Sequence, residues 1–415
     1  MTTSPSPSPE AVRRVLDAVW RIESARLVAS LARLVQDVGV AEELAQDTFV
    51  IALEQWPRDG VPRDPGPWLR ATAKHRAVDL IRRRTRYAEK LAVLGVPDRV
   101  YDEYDLDDHI GDDLLRLIFT AAHPVLSTEA KVALTLRLLG GLSTAEIARA
   151  FLIPESTAAQ RIVRAKRTLA DAGVRFTMPT PAETSSRVGT VLGVIYLIFN
   201  EGYAATGGTD WTQPALCREA MRLGRVLAGL LPDTAEVHGL VALMELQASR
   251  LPARVSPSGR PVLLADQDRR LWDRLLIRHG LDALARASDL GGGVYTLQAE
   301  IAACHTAPST DWRRVAALYE VLAYLQPSPV VRLNQAVAVG KAGDPGRGLS
   351  ITDGLAAERS LRDYPQLPAV RGELLAQLGR VAEARAEFTR AAELTRNEAE
   401  RRLFEDRAAG LGGSS

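Results

Sequence analysis

The sequence predicts an all-α fold. Long stretches repeat apolar residues every 3.6 positions, alternating β-branched strands with Asn-Gly turns are nearly absent, and Pro-rich or acidic breaks separate the periodic segments. A chain of 415 residues has room for about two to four domains. Hydrophobic residues make up 46% and charged residues 25%, an ordinary globular balance that excludes a disordered or collagen-like chain. The 52 basic and 51 acidic residues leave a net charge of +1, so any nucleic-acid surface has to be local. Five of the basic residues are lysine and 47 are arginine, which raises the background against which an arginine cluster is judged. Cys217 and Cys304 are far apart, which excludes a disulfide framework and a thiolate zinc site and suits a reducing cytosol. A cytoplasmic location and no metal or cofactor are expected. The longest apolar run, 191–199, is shorter than the roughly 20 residues that span a bilayer, so no membrane segment is expected.

The elements follow in order. Residues 1–9 read as a disordered tail, and 10–92 as a first helical block. Within it, AEELAQDTFVIALEQW places Ala41, Leu44, Ala45, Phe49, Ala52, Leu53 and Trp56 on a buried stripe, and Glu43, Gln46 and Asp47 on an exposed acidic face. A Pro/Gly loop, 57–66, leads into a cationic helix that carries Arg70, Lys74, His75, Arg76, Arg82, Arg83 and Arg84 against Asp79. Trp56 and Trp68 flank the loop. Rings beside cations suit unpaired nucleic acid, whose bases stack while its phosphates are held; each tryptophan taken alone reads more simply as core. Residues 93–113 form an acidic linker, with Asp98, Asp102, Glu103, Asp105, Asp107, Asp108, Asp112 and Asp113 against Arg99.

The block 114–172 holds the strongest motif, LSTAEIARAFLIPESTAAQRIVRAKRTL. Ser143 with Glu146 is a capping box that starts a helix. Leu152, Ile153 and Pro154 form a turn, and a second helix starts near Glu155 and Ser156. Ala158, Ile162, Ala165 and Leu169 share its buried face. Thr157, Gln160, Arg161 and Arg164 share another, able to bond base edges or phosphates, and Lys166 and Arg167 extend the basic surface. That division is what a major-groove reader in a helix-turn-helix requires.

A second linker, 173–188, precedes a long helical region, 189–410. There Gly372, Gly379, Ala384, Phe388 and Ala391 fit a tetratricopeptide spacing, in which small residues let paired helices approach, and Gly343 precedes Gly379 by about one repeat. A helical-hairpin array of this kind offers a surface to a protein or peptide. The six histidines are scattered and no phosphate loop follows a strand, so no catalytic set is expected; Glu201, Asp266 and Asp268 read as helix-end or surface carboxylates, and 291–293 as a flexible turn.

Together these blocks resemble the bacterial sigma-70 family of RNA polymerase sigma factors, in the extracytoplasmic-function group, and within it the subgroup with a long tetratricopeptide-like extension. The first block resembles region two and the helix-turn-helix resembles region four; the extension is similar through VIYLIFNEGYAA, ALMELQASRLPAR, DQDRRLWDRLLI, TDWRRVAALYE and SPVVRLNQAVAV. The resemblance implies an all-α protein of two small sigma domains and a large helical C-terminal domain. It implies docking on core RNA polymerase through Glu43, Gln46 and Asp47. Recognition of the minus-ten promoter element falls to the loop 57–66 and to Lys74, His75, Arg76, Asp79, Arg82 and Arg83; His75 stands where many relatives carry asparagine. Recognition of the minus-thirty-five element falls to the helix 156–169, with Thr157, Gln160, Arg161, Arg164 and Arg167 as its DNA-binding side chains. The acidic linker threads the polymerase cleft, and the extension regulates the core factor, with a protein or peptide partner. The alternative is a helix-turn-helix regulator that acts without polymerase; it leaves the acidic face and the Trp-flanked loop without a use.

Overall fold

A computed structural model of the chain describes residues 9–91, 110–204, 212–257 and 259–411. Among these residues there are eighteen α-helices and no strand, only an isolated antiparallel bridge between Val255 and Pro261. The chain packs into two compact units, 1–194 and 195–415.

The first unit contains α1 (Pro9–Val35), α2 (Val38–Asp59), α3 (Pro65–Leu91), α4 (Ile110–Ala121), α5 (Thr128–Leu138), α6 (Thr144–Ala150), α7 (Glu155–Asp171) and most of α8 (Pro181–Tyr203). Helix α1 is the spine: α2, α3, α4 and α5 all lie against it. Its buried Leu27 and Leu31 share the core with Trp56, Leu69, Leu117, Phe119, Leu134 and Leu136. Asp37 starts α2 by accepting from the backbone N–H groups of Gly39 at 2.7 Å and Val40 at 3.0 Å, which satisfies two of the helix's free donors. The two N-terminal blocks are therefore packed into one body, with α7 touching α2.

Several local expectations need correction. Leu53 is 40% exposed, because the apolar stripe of α2 drifts round the helix as 3.6-residue turns accumulate and the stripe ends on Ala52 and Trp56. The loop after α2 is shorter than 57–66. Pro57 is accommodated inside the last turn of α2, and Pro65 and Gly66 already belong to α3. The expected linker 93–113 lies largely outside the described residues, but its end does not: Asp112 and Asp113 are in the first turn of α4, where carboxylates complement the helix dipole, and Asp113 is fully buried. Part of the second expected linker, from Pro181 onward, is helical.

The second unit contains the end of α8, then α9 (Pro214–Leu230), α10 (Ala235–Ala248), α11 (Arg274–Asp289), α12 (Val294–Cys304), α13 (Trp312–Leu325), α14 (Pro329–Lys341), α15 (Pro345–Asp353), α16 (Gln366–Gln377), α17 (Val381–Leu394) and α18 (Glu398–Gly410). From α9 onward each helix packs on those one or two places away in sequence, α12 chiefly on α10. The core is accordingly a string of small clusters. Leu243, Leu246 and Ala299 form one, Ile301, Val315 and Leu322 the next, then Ala336, Leu349 and Leu374, then Phe388, Ala391 and Phe404. That is the one-dimensional construction of a helical-hairpin array. Gly372 is one place where two helices approach closely: a Cβ there would stand 3.1 Å from the Phe388 ring and 3.2 Å from the Ala384 carbonyl oxygen.

Candidate nucleic-acid interface

The helix-turn-helix forms as its residues require. Ser143 and Glu146 exchange both capping-box bonds: the Ser143 N–H donates to Glu146 Oε2 at 2.8 Å, and the Glu146 N–H donates to Ser143 Oγ at 3.1 Å. Burial raises the Glu146 carboxyl, but the Ser143 N–H and hydroxyl, with Arg21 and Arg149 nearby, more than offset this and hold it below its ordinary value. Helix α6 ends at Ala150, and the chain reverses at Leu152, whose φ of 50° lies in the left-handed region. Pro154 then caps α7, its carbonyl accepting from the Thr157 N–H at 2.9 Å. Ala158, Ile162, Ala165 and Leu169 are the buried stripe of α7. On the other side Gln160, Arg164 and Arg167 are exposed, while Thr157 and Arg161 are half-buried. Arg167 shares its charge with Asp171 one turn on, at 3.4 Å.

Helix α3 presents the second cationic surface. Leu69, Ala73 and Ala77 bury one face; His75, Arg76, Arg82 and Arg83 are exposed and Lys74 is half-buried. Arg76 pairs with Asp47 at 2.6 Å, so a residue expected to touch DNA and one expected to touch polymerase are partners in this conformation. Trp56 does not face a ligand. It is 1% exposed and meets Trp68 edge-on with ring centroids 5.4 Å apart, so its area is spent on the core and only the half-buried Trp68 retains accessible surface.

On α2, Glu43 and Asp47 are exposed, and the half-buried Gln46 donates to Glu42 Oε1 at 2.6 Å. Glu42 itself is 2% exposed. It receives Arg137 Nε at 2.5 Å and the Lys166 ammonium of α7. Sequence reasoning missed Glu42 and Arg137, and it placed Lys166 on the DNA surface. The signal for Glu42 was present: it precedes Ala45 by three positions and Phe49 by seven, which sets it on the buried side of α2. Val163, 63% exposed between the polar positions of α7, was also missed; an apolar residue there is suited to a thymine methyl group.

Among the described residues no group of three or more histidines, cysteines or carboxylates could hold a metal ion, and no helix is long and apolar enough to cross a membrane. Asp268, one of the carboxylates weighed in the sequence, caps a short 3-10 turn and pairs with Arg270 at 2.7 Å, which draws its carboxyl down to about 2.

A basic α7 after a capped turn, joined in one body to a basic α3 and an acidic face on α2, defines a DNA-binding initiation factor, and comparison with known proteins agrees. Residues 22–87 match the family model for Sigma-70 region 2, residues 116–169 that for Sigma-70, region 4, and residues 187–288 that of a family of unknown function (DUF6596). The chain is 42% identical over 384 residues, 90% of each chain, to an uncharacterized protein of Rhizobium meliloti (strain 1021). It is 35% identical over 153 residues to the ECF RNA polymerase sigma factor SigC of Mycobacterium tuberculosis and to the probable RNA polymerase sigma-C factor of Mycobacterium bovis, covering 36% of this chain and 75% of each of those. The chain belongs to the sigma-70 family of RNA polymerase sigma factors, in the extracytoplasmic-function group, and carries a long helical C-terminal extension.

Proposed function

We propose that this sigma factor, acting in the cytoplasm, directs core RNA polymerase to promoters by reading the minus-ten element with α3 and the minus-thirty-five element with α7. The observation that carries the reading is the division of α7 into a buried Ala158–Ile162–Ala165–Leu169 stripe and a side bearing Thr157, Gln160, Arg161, Arg164 and Arg167. Arginine and glutamine are the side chains that pair with purine edges in the major groove. Lys74, His75, Arg76, Arg82 and Arg83 serve the minus-ten element, by phosphate contact and capture of displaced bases. Glu43, Gln46 and Asp47 dock on polymerase. The protein supplies binding energy and polymerase the chemistry: two weak surfaces tethered in one chain raise each other's effective concentration on one promoter. The extension regulates the core factor through a protein or peptide partner held on its helical array. Run-off transcription with core polymerase on candidate promoters, with and without the protein, tests the proposal. Protein-dependent start sites that are lost on Arg161→Ala with Arg164→Ala support it; start sites indifferent to that pair of changes overturn the assignment of α7. Truncation near Thr180 tests the extension, whose regulatory role fails if transcription and its regulation are unchanged.

A further inference from the structure

Three connecting segments of the second unit meet: the one that leaves α10, the one that enters α11 and the one that leaves α12. A short 3-10 turn at Leu251–Ala253 packs against another at Arg269–Leu271, and the Asp273 N–H donates to the Ser249 carbonyl at 2.8 Å. Arg269 then reaches the third segment by donating to the Ala307 carbonyl. Arg250, Arg269 and His305 are gathered in this way, one from each segment, and each is half-buried.

The cluster is rich in positive charge and short of negative charge. Arg269 lies over the Trp272 ring, 4.7 Å from its centroid. Among the described residues neither Arg250 nor Arg269 forms an ion pair. Carboxylates near them in sequence are engaged elsewhere. Asp268 pairs with Arg270 at 2.7 Å, Asp273 accepts from the Leu275 N–H at 2.9 Å to start α11, and Asp311 accepts from the Arg314 N–H at 3.0 Å to start α13. His305 feels the imbalance: burial first, then Arg250 and Arg269, hold its imidazole well below its ordinary value, so the ring is neutral at neutral pH. Two guanidinium groups half-shielded from water repel each other more than they would in bulk solvent, and an anion between them removes that repulsion.

Two polar atoms beside the arginines are also unmatched. Trp272 is 4% exposed and its Nε1–H has no hydrogen-bond partner. Gln267 is 8% exposed; its amide nitrogen donates to the Val262 carbonyl at 3.2 Å and its Oε1 has no partner. Buried groups of this kind are ordinarily satisfied. A donor and an acceptor left open beside two cations without counter-charges are what a bound polar ligand would complete.

We infer that the second unit holds a binding site for a small phosphate monoester, with Arg250 and Arg269 on the phosphate, His305 and the Trp272 N–H as neutral donors, and Gln267 Oε1 for a hydroxyl group of the ligand. The planar fork of arginine matches phosphate oxygens two at a time. A phosphate monoester carries about −1.5 to −2 charges at neutral pH, which balances two arginines. The ligand ties the three segments together and so stiffens the beginning of the helical array. The extension thereby receives a small phosphorylated compound, beyond any protein or peptide partner. The inference does not rest on promoter reading, because binding is measured on the protein alone.

The test is calorimetric titration of the full chain in phosphate-free buffer at constant ionic strength, with glycerol 3-phosphate, with glycerol, and with succinate as a dianion that has no phosphate. Wild type is expected to bind glycerol 3-phosphate and not glycerol. Arg250→Gln should weaken that binding about 10- to 100-fold, the loss expected for hydrogen bonds to a charged group. Arg385→Gln, which removes the same charge from an exposed position on α17, should leave it unchanged. The thermal midpoint of Arg250→Gln without ligand should equal or exceed that of wild type, since a repulsion is relieved. No binding of glycerol 3-phosphate or of inorganic phosphate up to about 10 mM overturns the site. Tighter binding of succinate than of glycerol 3-phosphate overturns the phosphate assignment. An Arg250→Gln variant with a lowered midpoint and unchanged affinity shows a structural arginine and overturns the proposal.

Discussion

Arg33, in the last turn of α1, sets its Nε 2.9 Å from Asp113 Oδ2 in α4, and Arg116 approaches the other carboxylate oxygen at 2.8 Å. Asp113 has no exposed side-chain surface and Arg33 has 14%. Removing one member of such a pair leaves a charge in a site closed to water, which costs about 3–5 kcal/mol. Asp113→Ala is expected to lower the unfolding free energy by that amount in urea titrations. The double change Arg33→Met with Asp113→Leu should recover much of it, because no buried charge then remains.

Asp113 also shows where the sequence was legible and where it was not. Its neighbours form an acid-rich run, and composition over a window cannot tell a solvated carboxylate from one whose partner, Arg33, lies 80 positions earlier. The helices, the capping box at Ser143 and Glu146 and the buried stripe of α7 were legible because each depends on residues within four positions. Trp56 was ambiguous for a related reason. Its spacing fits the core and its place beside a loop fits a base platform, and only the meeting of α2 and α3 decides for the core. The buried ion cluster around Glu42 was invisible in the same way: Arg137 and Lys166 lie on different helices far along the chain.

Leu152 carries strain that the helix-turn-helix does not need. Its φ of 50° is costly for a residue with a Cβ, and its side chain is 56% exposed, so little packing is lost by removing it. Leu152→Gly is expected to be neutral to stabilising by up to about 1 kcal/mol, raising the thermal midpoint by a few degrees, whereas Leu152→Val should lower it. Differential scanning calorimetry of the full chain distinguishes the two.

Two glycines in helices should respond in opposite senses. Gly372→Ala pushes a methyl group against the Phe388 ring and the Ala384 carbonyl and is expected to destabilise the array by about 1–3 kcal/mol. Gly189, in α8, has no described atom within 4 Å of a Cβ, so Gly189→Ala should stabilise by about 0.5–1 kcal/mol through helix propensity alone. Chemical denaturation of each variant gives the sign directly.

His305 makes the second unit sensitive to acid. Burial, reinforced by Arg250 and Arg269, lowers its imidazole from 6.5 to about 4. Its ring lies against Trp312, with centroids 5.3 Å apart. The folded form then binds fewer protons than the unfolded chain between those values. Stability from this group is full above about pH 6.5 and is lost as pH falls toward 4, by on the order of 3 kcal/mol in all. The unfolding free energy of wild type minus that of His305→Gln should therefore fall across this window when measured at several pH values.

The recognition helix makes a prediction in which salt separates two kinds of contact. Gln160 and Arg164 are exposed one turn apart on α7, clear of the ion pairs that occupy Lys166 and Arg167. If they read base edges, Gln160→Ala and Arg164→Ala each weaken binding of the polymerase–sigma complex to its own promoter by about 1–3 kcal/mol and flatten discrimination against altered minus-thirty-five sequences. Arg83→Ala on α3, if it meets a phosphate, weakens binding evenly across sequences and reduces the slope of log affinity against log salt by about 1. Titrations of wild type and the three variants at several salt concentrations, on the promoter and on a mutated copy, distinguish these patterns. Discrimination that is unaltered in both α7 variants would remove that helix from sequence readout even if overall affinity fell, because a uniform loss is what phosphate contacts alone produce.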